Sequence, residues 1–326
     1  MIPSFVNNLF ELSVTGFDEL VQESFQFQYK NNLIYRSFCD ALHIDPAKVS
    51  SIEKVPFLPI GFFKTHKVVS TEFIAETIFE SSGTSKTIQS KHYVKSLVLY
   101  EEAFTKGFTA QYDSPKNYCI LGLLPSYLER SNSSLVYMVQ KLIDKSNHPM
   151  NGFYLNNFKE LFDRVQQLEK EGQPAILVGV TFGLLDFAEQ YQLPLKNTII
   201  METGGMKGRR EEMTREQVHQ KLKHAFSLNT IHSEYGMTEL LSQAYSKGNG
   251  IFQCPPWVKV LVRDEDDPFH IRTSGKGAIN IIDLANVYST SFIATDDVGE
   301  VFEDGSFRVL GRMDNSDIRG CSLLAL

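Results

Sequence analysis

Three clusters of residues in this chain have types and spacings suited to holding a nucleotide and its metal. The first is Glu80-Ser81-Ser82-Gly83-Thr84-Ser85-Lys86, followed by Thr87, Ser90, Lys91 and His92. Hydroxyls packed round a glycine let backbone N–H groups and side-chain donors converge on phosphate oxygens, and a lysine adds charge. The Walker pattern GxxxxGK[ST] is absent, and a solvated loop can have the same composition. The second cluster is His232-Ser233-Glu234-Tyr235-Gly236-Met237-Thr238-Glu239. Tyr235 can stack on a purine, Gly236 allows close approach, Thr238 can donate to a phosphate, and Glu239 can hold Mg²⁺. That ion takes one or two carboxylates together with substrate phosphates. Read without function, the same stretch is a helix start capped by Thr238 or Ser233. The third cluster is Thr295-Asp296-Asp297-Val298-Gly299-Glu300, then Glu303-Asp304-Gly305, then Gly311-Arg312-Met313-Asp314. An aspartate at a strand end can accept both ribose hydroxyls, and an arginine returning across a hairpin can bind phosphate or ribose. Acidic turns on a β-meander are the alternative.

The elements that must position these clusters can be read from hydrophobic patterning. Residues 1 to about 45 carry apolar residues at three- and four-residue spacing and predict helix, ended by Pro46. The segment VPFLPIGFFKTHKVV, with Pro56 and Pro59, predicts extended chain. NYCILGLLP (117–125), PAILVGVT (174–181) and NTIIMETGG (197–205) are compact apolar runs closed by turn residues and predict buried strands. SSLVYMVQKLID, NFKELFDRVQQLEKEG and REEMTREQVHQKLKHAF predict helices between and after them. Alternation of this kind implies an α/β layered body with a partly parallel sheet. After about residue 250, WVKVLVRD, GAINIIDL, SFIATDDVGEV and SFRVLGRMD predict short strands, with Asp304-Gly305 as a hairpin turn. The expectation is one domain over 1–326: an α/β body over about 1–250, then a β-rich subdomain over about 251–326 ending in a short cysteine-containing tail.

Composition narrows the function classes. With 42% hydrophobic and 22% charged residues the chain is of globular type. A net charge of −7 is poorly suited to capturing nucleic acid or an anionic membrane. No apolar run approaches the roughly 18–20 residues needed to span a bilayer, and the first residues lack a secretory signal pattern. Cys39, Cys119, Cys254 and Cys321 are scattered without a CxxC pair, which argues against a zinc site or disulfide framework. A cytoplasmic setting is expected.

Taken together and in order, the clusters resemble the adenylate-forming superfamily of acyl-CoA synthetases, peptide-synthetase adenylation domains and luciferases. ESSGTS is similar to its phosphate loop, Tyr235–Glu239 to its YGxTE motif, and Thr295–Asp297 with Gly311–Asp314 to TGD followed by GRxD. Gly204-Gly205 looks like its adenine-contacting glycine pair. The matched segments run from about residue 80 to the end. Within that superfamily, LLPSYLERSNSSLVYM, HPMNGFYL, VGVTFGLLDFAE, ETGGMKGRR and the final IRGCSLLAL resemble the LuxE-type acyl-protein synthetases, the fatty-acid-activating subunits of bacterial bioluminescence fatty acid reductase. In three places the chain departs from the pattern. Lys86 stands where glycine is usual, Asp296 replaces the glycine of TGD, and the lid domain that normally follows GRxD, with its adenylation lysine, is absent.

The resemblance implies the large N-terminal domain of that superfamily and an enzyme that uses ATP and Mg²⁺ to convert a carboxylic acid, a fatty acid by family expectation, to its acyl-adenylate. It further implies transfer of the acyl group to a thiol. Ser81, Ser82, Gly83, Thr84, Ser85 and Lys86 would meet phosphate. Gly204, Gly205, Tyr235 and Gly236 would frame the adenine, Asp297 and Arg312 the ribose and phosphate, and Glu239 the metal. Thr238, Glu239, Lys91 and His92 would serve the chemistry, and Cys321, beside Arg319, would carry the acyl group as a thioester. An acyl-transferase or acyl-reductase protein would be the partner. Two other readings remain: a ligase loading coenzyme A or a carrier protein with Cys321 structural, and a non-catalytic acyl- or nucleotide-binding subunit.

Overall fold

The computed structural model describes residues 4–11, 16–82, 88–124, 132–204, 213–264 and 266–313. The strand runs that the sequence marks as wholly apolar lie at the centre. β4 (Cys119–Leu123), β6 (Ala175–Gly179) and β7 (Thr198–Glu202) pair in parallel, and every residue of β4 and β6 is buried. Strands covered on both faces need no polar alternation, which is why they read as continuous hydrophobic runs. β5 (Gly152–Tyr154) and β8 (His232–Tyr235) extend the parallel set, and β9 (Ala244–Ser246) closes one edge antiparallel to β8, in the order β5-β4-β6-β7-β8-β9.

The helices of this body are α4 (Leu97–Tyr112), α5 (Ser134–Ser146), α6 (Phe158–Glu171), α7 (Thr181–Gln190) and α8 (Arg215–Phe226). Ser96 and Ser133 cap α4 and α5 through their side chains, and Thr214 with Gln217 forms a capping box on α8. Two apolar clusters result. One lies under α6, α7 and α8, with Leu161, Leu184 and Leu222 fully buried, and the other runs from α4 and α5 into the C-terminal strands.

The second sheet holds β10 (Val258–Arg263), β11 (Ile271–Arg272), β12 (Gly275–Asp283), β13 (Phe292–Val301) and β14 (Phe307–Arg312). Its order is β1-β13-β12-β10-β11, with β14 also on β13. β1 (Leu58–Pro59) comes from the N-terminal region and pairs parallel to β13. Helices α1 (Phe17–Asn31) and α2 (Leu33–Ala41) pack on this sheet, with Gln28 and Asn32 hydrogen-bonded to the 287–291 segment. The β13–β14 turn is the predicted one: Gly305 takes a φ of +81°, which a side chain would strain. β2 (Thr77–Glu80) and β3 (Lys91–Val94) form a separate two-stranded ribbon.

In two places the structure corrects the sequence reading. Residues 55–69 are not extended throughout, because Phe62–Thr65 turns into a short helix, α3, with Phe63 buried. Residues 236–240 form a turn rather than a helix start, so neither Ser233 nor Thr238 is an N-cap.

Candidate active site

The carboxyl ends of the parallel strands are where an open α/β sheet presents loops to a ligand. Tyr235 closes β8 there. Its hydroxyl donates to Asp297 Oδ2 at 2.7 Å, and Arg312 Nε stands 3.3 Å from Asp297 Oδ1. β13 and β14 place this pair, since Asp297 and Arg312 are register partners. Asp297 is buried while its neighbour Asp296 is exposed, so the second aspartate alone faces inward. A buried guanidinium behind the strand, Arg263, donates to the Thr295 carbonyl at 2.6 Å, and Thr295 Oγ1 accepts from the Asp297 N–H. Sequence reasoning did not find Arg263.

The turn carrying Thr238 and Glu239 is pinned from three sides. The His92 ring nitrogen Nδ1 donates to the Thr238 carbonyl at 2.8 Å. Asn286 Nδ2 donates to the Glu239 carbonyl at 2.7 Å. Buried Asp283 accepts from the N–H groups of Leu241 and Ser242 and from the Ser242 hydroxyl. Burial lowers the His92 pKa to about 4, so the ring is a neutral strut under the turn. Lys91 points elsewhere and pairs with Glu80 across the ribbon at 3.5 Å.

Glu239 is the buried carboxyl of the second cluster. Its carboxyl is buried, which raises its pKa; the Ser90 side chain, Lys64 and Arg312 act in the opposite direction. Ser90 belongs to the first cluster: its N–H donates to Ser81 Oγ at 2.9 Å, and Ser81 N–H donates to the Ser90 carbonyl at 3.1 Å. These bonds close the base of the segment from Ser82 to Ile88. Gly83, Thr84, Ser85, Lys86 and Thr87 themselves, like Gly205, Asp314, Arg319 and Cys321, lie outside the described residues.

A further polar network sits behind Gly204, and no sequence motif announced it. Glu202 Oε2 accepts from the Gly204 N–H at 2.9 Å and from Thr181 Oγ1 at 3.1 Å, while Oε1 accepts from Arg215 Nε at 3.0 Å. His219 Nε2 lies 3.6 Å from the same oxygen. Burial alone would raise the Glu202 pKa, but the His219 bond, the Arg215 charge and the Gly204 N–H bring it down to about 2. Gly204 has a φ of +75°, and among the described residues no atom lies within 4 Å of where its side chain would begin.

Glu234, one residue before Tyr235, behaves oppositely. Burial, aided by the Glu202 charge, raises its pKa to about 8. A carboxyl whose folded pKa lies above its unfolded value contributes stability that is full below about 4.5 and is lost as pH climbs to 8. The loss is on the order of 5 kcal/mol. Glu234→Gln is therefore expected to unfold at nearly the same urea concentration at pH 5.5 and 8.5, whereas the parent chain loses stability across that range. Parallel pH profiles for the two would refute the assignment.

The sequence model of a family described as acyl-protein synthetase, LuxE, matches residues 11–325. A long-chain-fatty-acid–luciferin-component ligase of Vibrio harveyi is 22% identical over 332 residues, covering 93% of this chain and 85% of its own length. The protein of that name from Aliivibrio fischeri is 23% identical, with 94% and 86% covered. Among solved structures, a 2-hydroxyisobutyryl-CoA ligase with its adenylate and CoA superposes with a TM-score of 0.70 at 12% identity, covering 95% of this chain and 71% of that one. ATP-bound MatB from Rhodopseudomonas palustris gives 0.54 at 15% identity, covering 74% of this chain and 49% of that chain. At these identities the superpositions establish the fold: the α/β architecture of the adenylate-forming enzymes.

Proposed function

Because the chain belongs to the LuxE acyl-protein synthetase family, a family of ligases, we propose that it uses ATP to activate a carboxylic acid as the acyl-adenylate and then transfers the acyl group to its own Cys321. The observation that supports this reading is a pair of hydrogen bonds between distant segments: Tyr235 to Asp297 links the second cluster to the third, and His92 to the Thr238 carbonyl links the first to the second. The names of the bacterial relatives point to a long-chain fatty acid as the acid.

In this reading the adenine lies on Gly204 and Gly205 beside Tyr235 and Gly236. The ribose hydroxyls bond Asp297, whose two oxygens keep lone pairs beyond those used by Tyr235 and Arg312. Ser81, Ser82, Gly83, Thr84, Ser85, Lys86 and Thr238 surround the phosphates. Magnesium fits as an ion carried by ATP: Glu239 offers one carboxylate, and among the described residues no cluster of three or more acidic, histidine or cysteine ligands could hold a metal alone. Bound there, the ion would neutralise phosphate charge. Lys86 would add positive charge near the leaving pyrophosphate; Lys91, paired with Glu80 across the ribbon, is not placed for that role, and His92 keeps the Thr238–Glu239 turn in place. Positioning and charge neutralisation do most of the work.

The carboxylate oxygen of the acid bonds the α-phosphorus and the bond to pyrophosphate breaks. The Cys321 thiolate then bonds the acyl carbon and AMP leaves, the thiol proton passing to solvent or base. Cys39, Cys119 and Cys254 are poor alternatives, since burial pushes each thiol up to about 12. A cytoplasmic setting and an acyl-reductase or acyl-transferase partner complete the reading. No described helix is long and apolar enough to cross a membrane.

The test is incubation with ATP, Mg²⁺ and a panel of acids, following pyrophosphate and hydroxylamine-labile acyl label on protein. Glu239→Gln should slow pyrophosphate release roughly 10²-fold, the scale of losing one preorganised electrostatic contact. Cys321→Ser should keep pyrophosphate release and lose the label. Label persisting in Cys321→Ser would remove the carrier role, and thiol-dependent turnover without labelled protein would favour an external acceptor.

A further inference from the structure

One face of the central sheet carries a row of buried polar groups with too few partners. Glu234 and Tyr245 are cross-strand partners on β8 and β9, so their side chains share a face. Met201 and Glu202 of β7 pair with His232 and Ser233, and continuing that register by one residue sets Thr203 beside Glu234. Gln243 joins the row from the other end. A side chain on Gly236 would collide with Glu234 Oε1 and begin 3.2 Å from Gln243 Cγ, so both side chains converge over that glycine. Three atoms of the row have no hydrogen-bond partner: Thr203 Oγ1, Gln243 Oε1 and Tyr245 Oη. Gln243 and Tyr245 are 6% and 2% exposed. Helix α4 covers this face, with the rings of Phe108 and Tyr112 against Tyr245 and the Tyr100 hydroxyl in the field of Glu234.

Each buried polar atom left unpaired costs roughly 1–3 kcal/mol, and native structures keep such atoms few. Here three fall in one row, which begins next to Gly204 and ends next to Gly236, the two glycines assigned above to the nucleotide. Tyr235, between Glu234 and Gly236, faces the opposite way toward Asp297. The row therefore runs between these two glycines on the face of β8 turned away from Asp297.

We propose that this row is a specificity subsite for an acid whose chain carries a hydroxyl group, held by Gln243, Tyr245 and Thr203. The inference rests on the acid-activating function proposed above and narrows its substrate class. Gln243 Oε1 requires a donor and Tyr245 Oη can give one, and a hydroxyl supplies both complements at once. Glu234, neutral through burial, adds a second donor without placing a fixed charge in the row. An unsubstituted alkyl chain would leave all of these atoms unpaired. A site built to bond a substrate hydroxyl discriminates against the analogue lacking it far more strongly than an apolar pocket discriminates by size.

The experiment pairs monohydroxylated acids, differing in chain length and hydroxyl position, with unsubstituted acids of equal length. Pyrophosphate release gives kcat/KM, and calorimetric titration gives binding without turnover. For at least one pair the hydroxylated acid is expected to be favoured about tenfold or more in both measurements. That ratio should fall toward one in Tyr245→Phe, which keeps the ring packing, and in Gln243→Met. Equal or weaker binding of every hydroxylated acid would overturn the subsite and mean that the row holds water only. A preference that survives both substitutions would overturn it as well. Absence of pyrophosphate with every acid, alongside preferential binding, would instead count against the proposed reaction and leave the subsite standing.

Discussion

Replacing Asp297 by alanine is expected to lower kcat/KM for ATP by roughly 10²–10⁴-fold, the value of two hydrogen bonds to a charged group at about 1.5–3 kcal/mol each. The carboxylate is placed by both strands of a hairpin and by the Tyr235 hydroxyl at 2.7 Å, so its orientation is set before the ribose arrives. The substitution also affects the fold, and that part can be separated. Arg312 is 60% exposed and returns to water at little cost, whereas the Tyr235 hydroxyl loses its buried partner, which costs about 1–3 kcal/mol. A sugar-binding role gives a signature that a structural role does not. The parent chain should discriminate ATP from 2′-deoxy-ATP, and Asp297→Ala should treat the two alike. An unchanged 2′-deoxy ratio in the variant would show that Asp297 only braces Tyr235.

How much of this was readable beforehand depends on where each interaction comes from. β4, β6 and β7 declared themselves because burial on both faces demands unbroken apolar runs. The Asp297–Arg312 pairing was readable because one hairpin supplies both residues, and a hairpin converts sequence spacing into spatial register. α7 was not marked as a helix, since it buries Phe182, Leu184, Leu185 and Phe187 on more than one side, and an all-round apolar helix lacks the stripe that signals its period. α4 does bury one stripe, Tyr100, Phe104, Phe108 and Tyr112, so its period was there to be read. α3 was hidden by Pro56 and Pro59, which imply extended chain up to the point where the helix begins. Among the site residues, Tyr235, Glu239 and Asp297 belong to contiguous motifs. Glu202, Arg215 and His219 come from β7 and α8, and Glu234 meets Gln243 and Tyr245 only after β8 and β9 pair. Tertiary assembly alone makes those groups neighbours, so no local pattern could name them.

The largest stability effect is expected at Glu202. Replacing it with leucine strips the Gly204 N–H, the Thr181 hydroxyl and the Arg215 guanidinium of their shared acceptor. Removing one member of a buried pair costs up to about 3–5 kcal/mol; here the buried Gly204 N–H and Thr181 hydroxyl lose their acceptor, while Arg215, 28% exposed, is partly rehydrated. Arg215 also reaches the Val309 carbonyl on β14 at 3.4 Å and lies over the Phe252 ring at 5.0 Å, so the loss propagates to the hairpin that carries Asp297. Glu202→Leu should therefore raise the KM for ATP as well as lower the melting temperature. Adding Arg215→Met should restore much of the stability, since an apolar pair tolerates this burial better than a lone cation, but should not restore the KM, because the Gly204 N–H still lacks its acceptor. The acid limb gives an independent check. With its folded pKa near 2 and its unfolded value near 4.5, Glu202 stabilises fully above pH 4.5 and loses that contribution as pH falls to 2, about 3 kcal/mol in all. Glu202→Leu should lack that part of the acid transition. If the double variant is no more stable than the single one, the Glu202–Arg215 pair is not the strut that joins the two sheets.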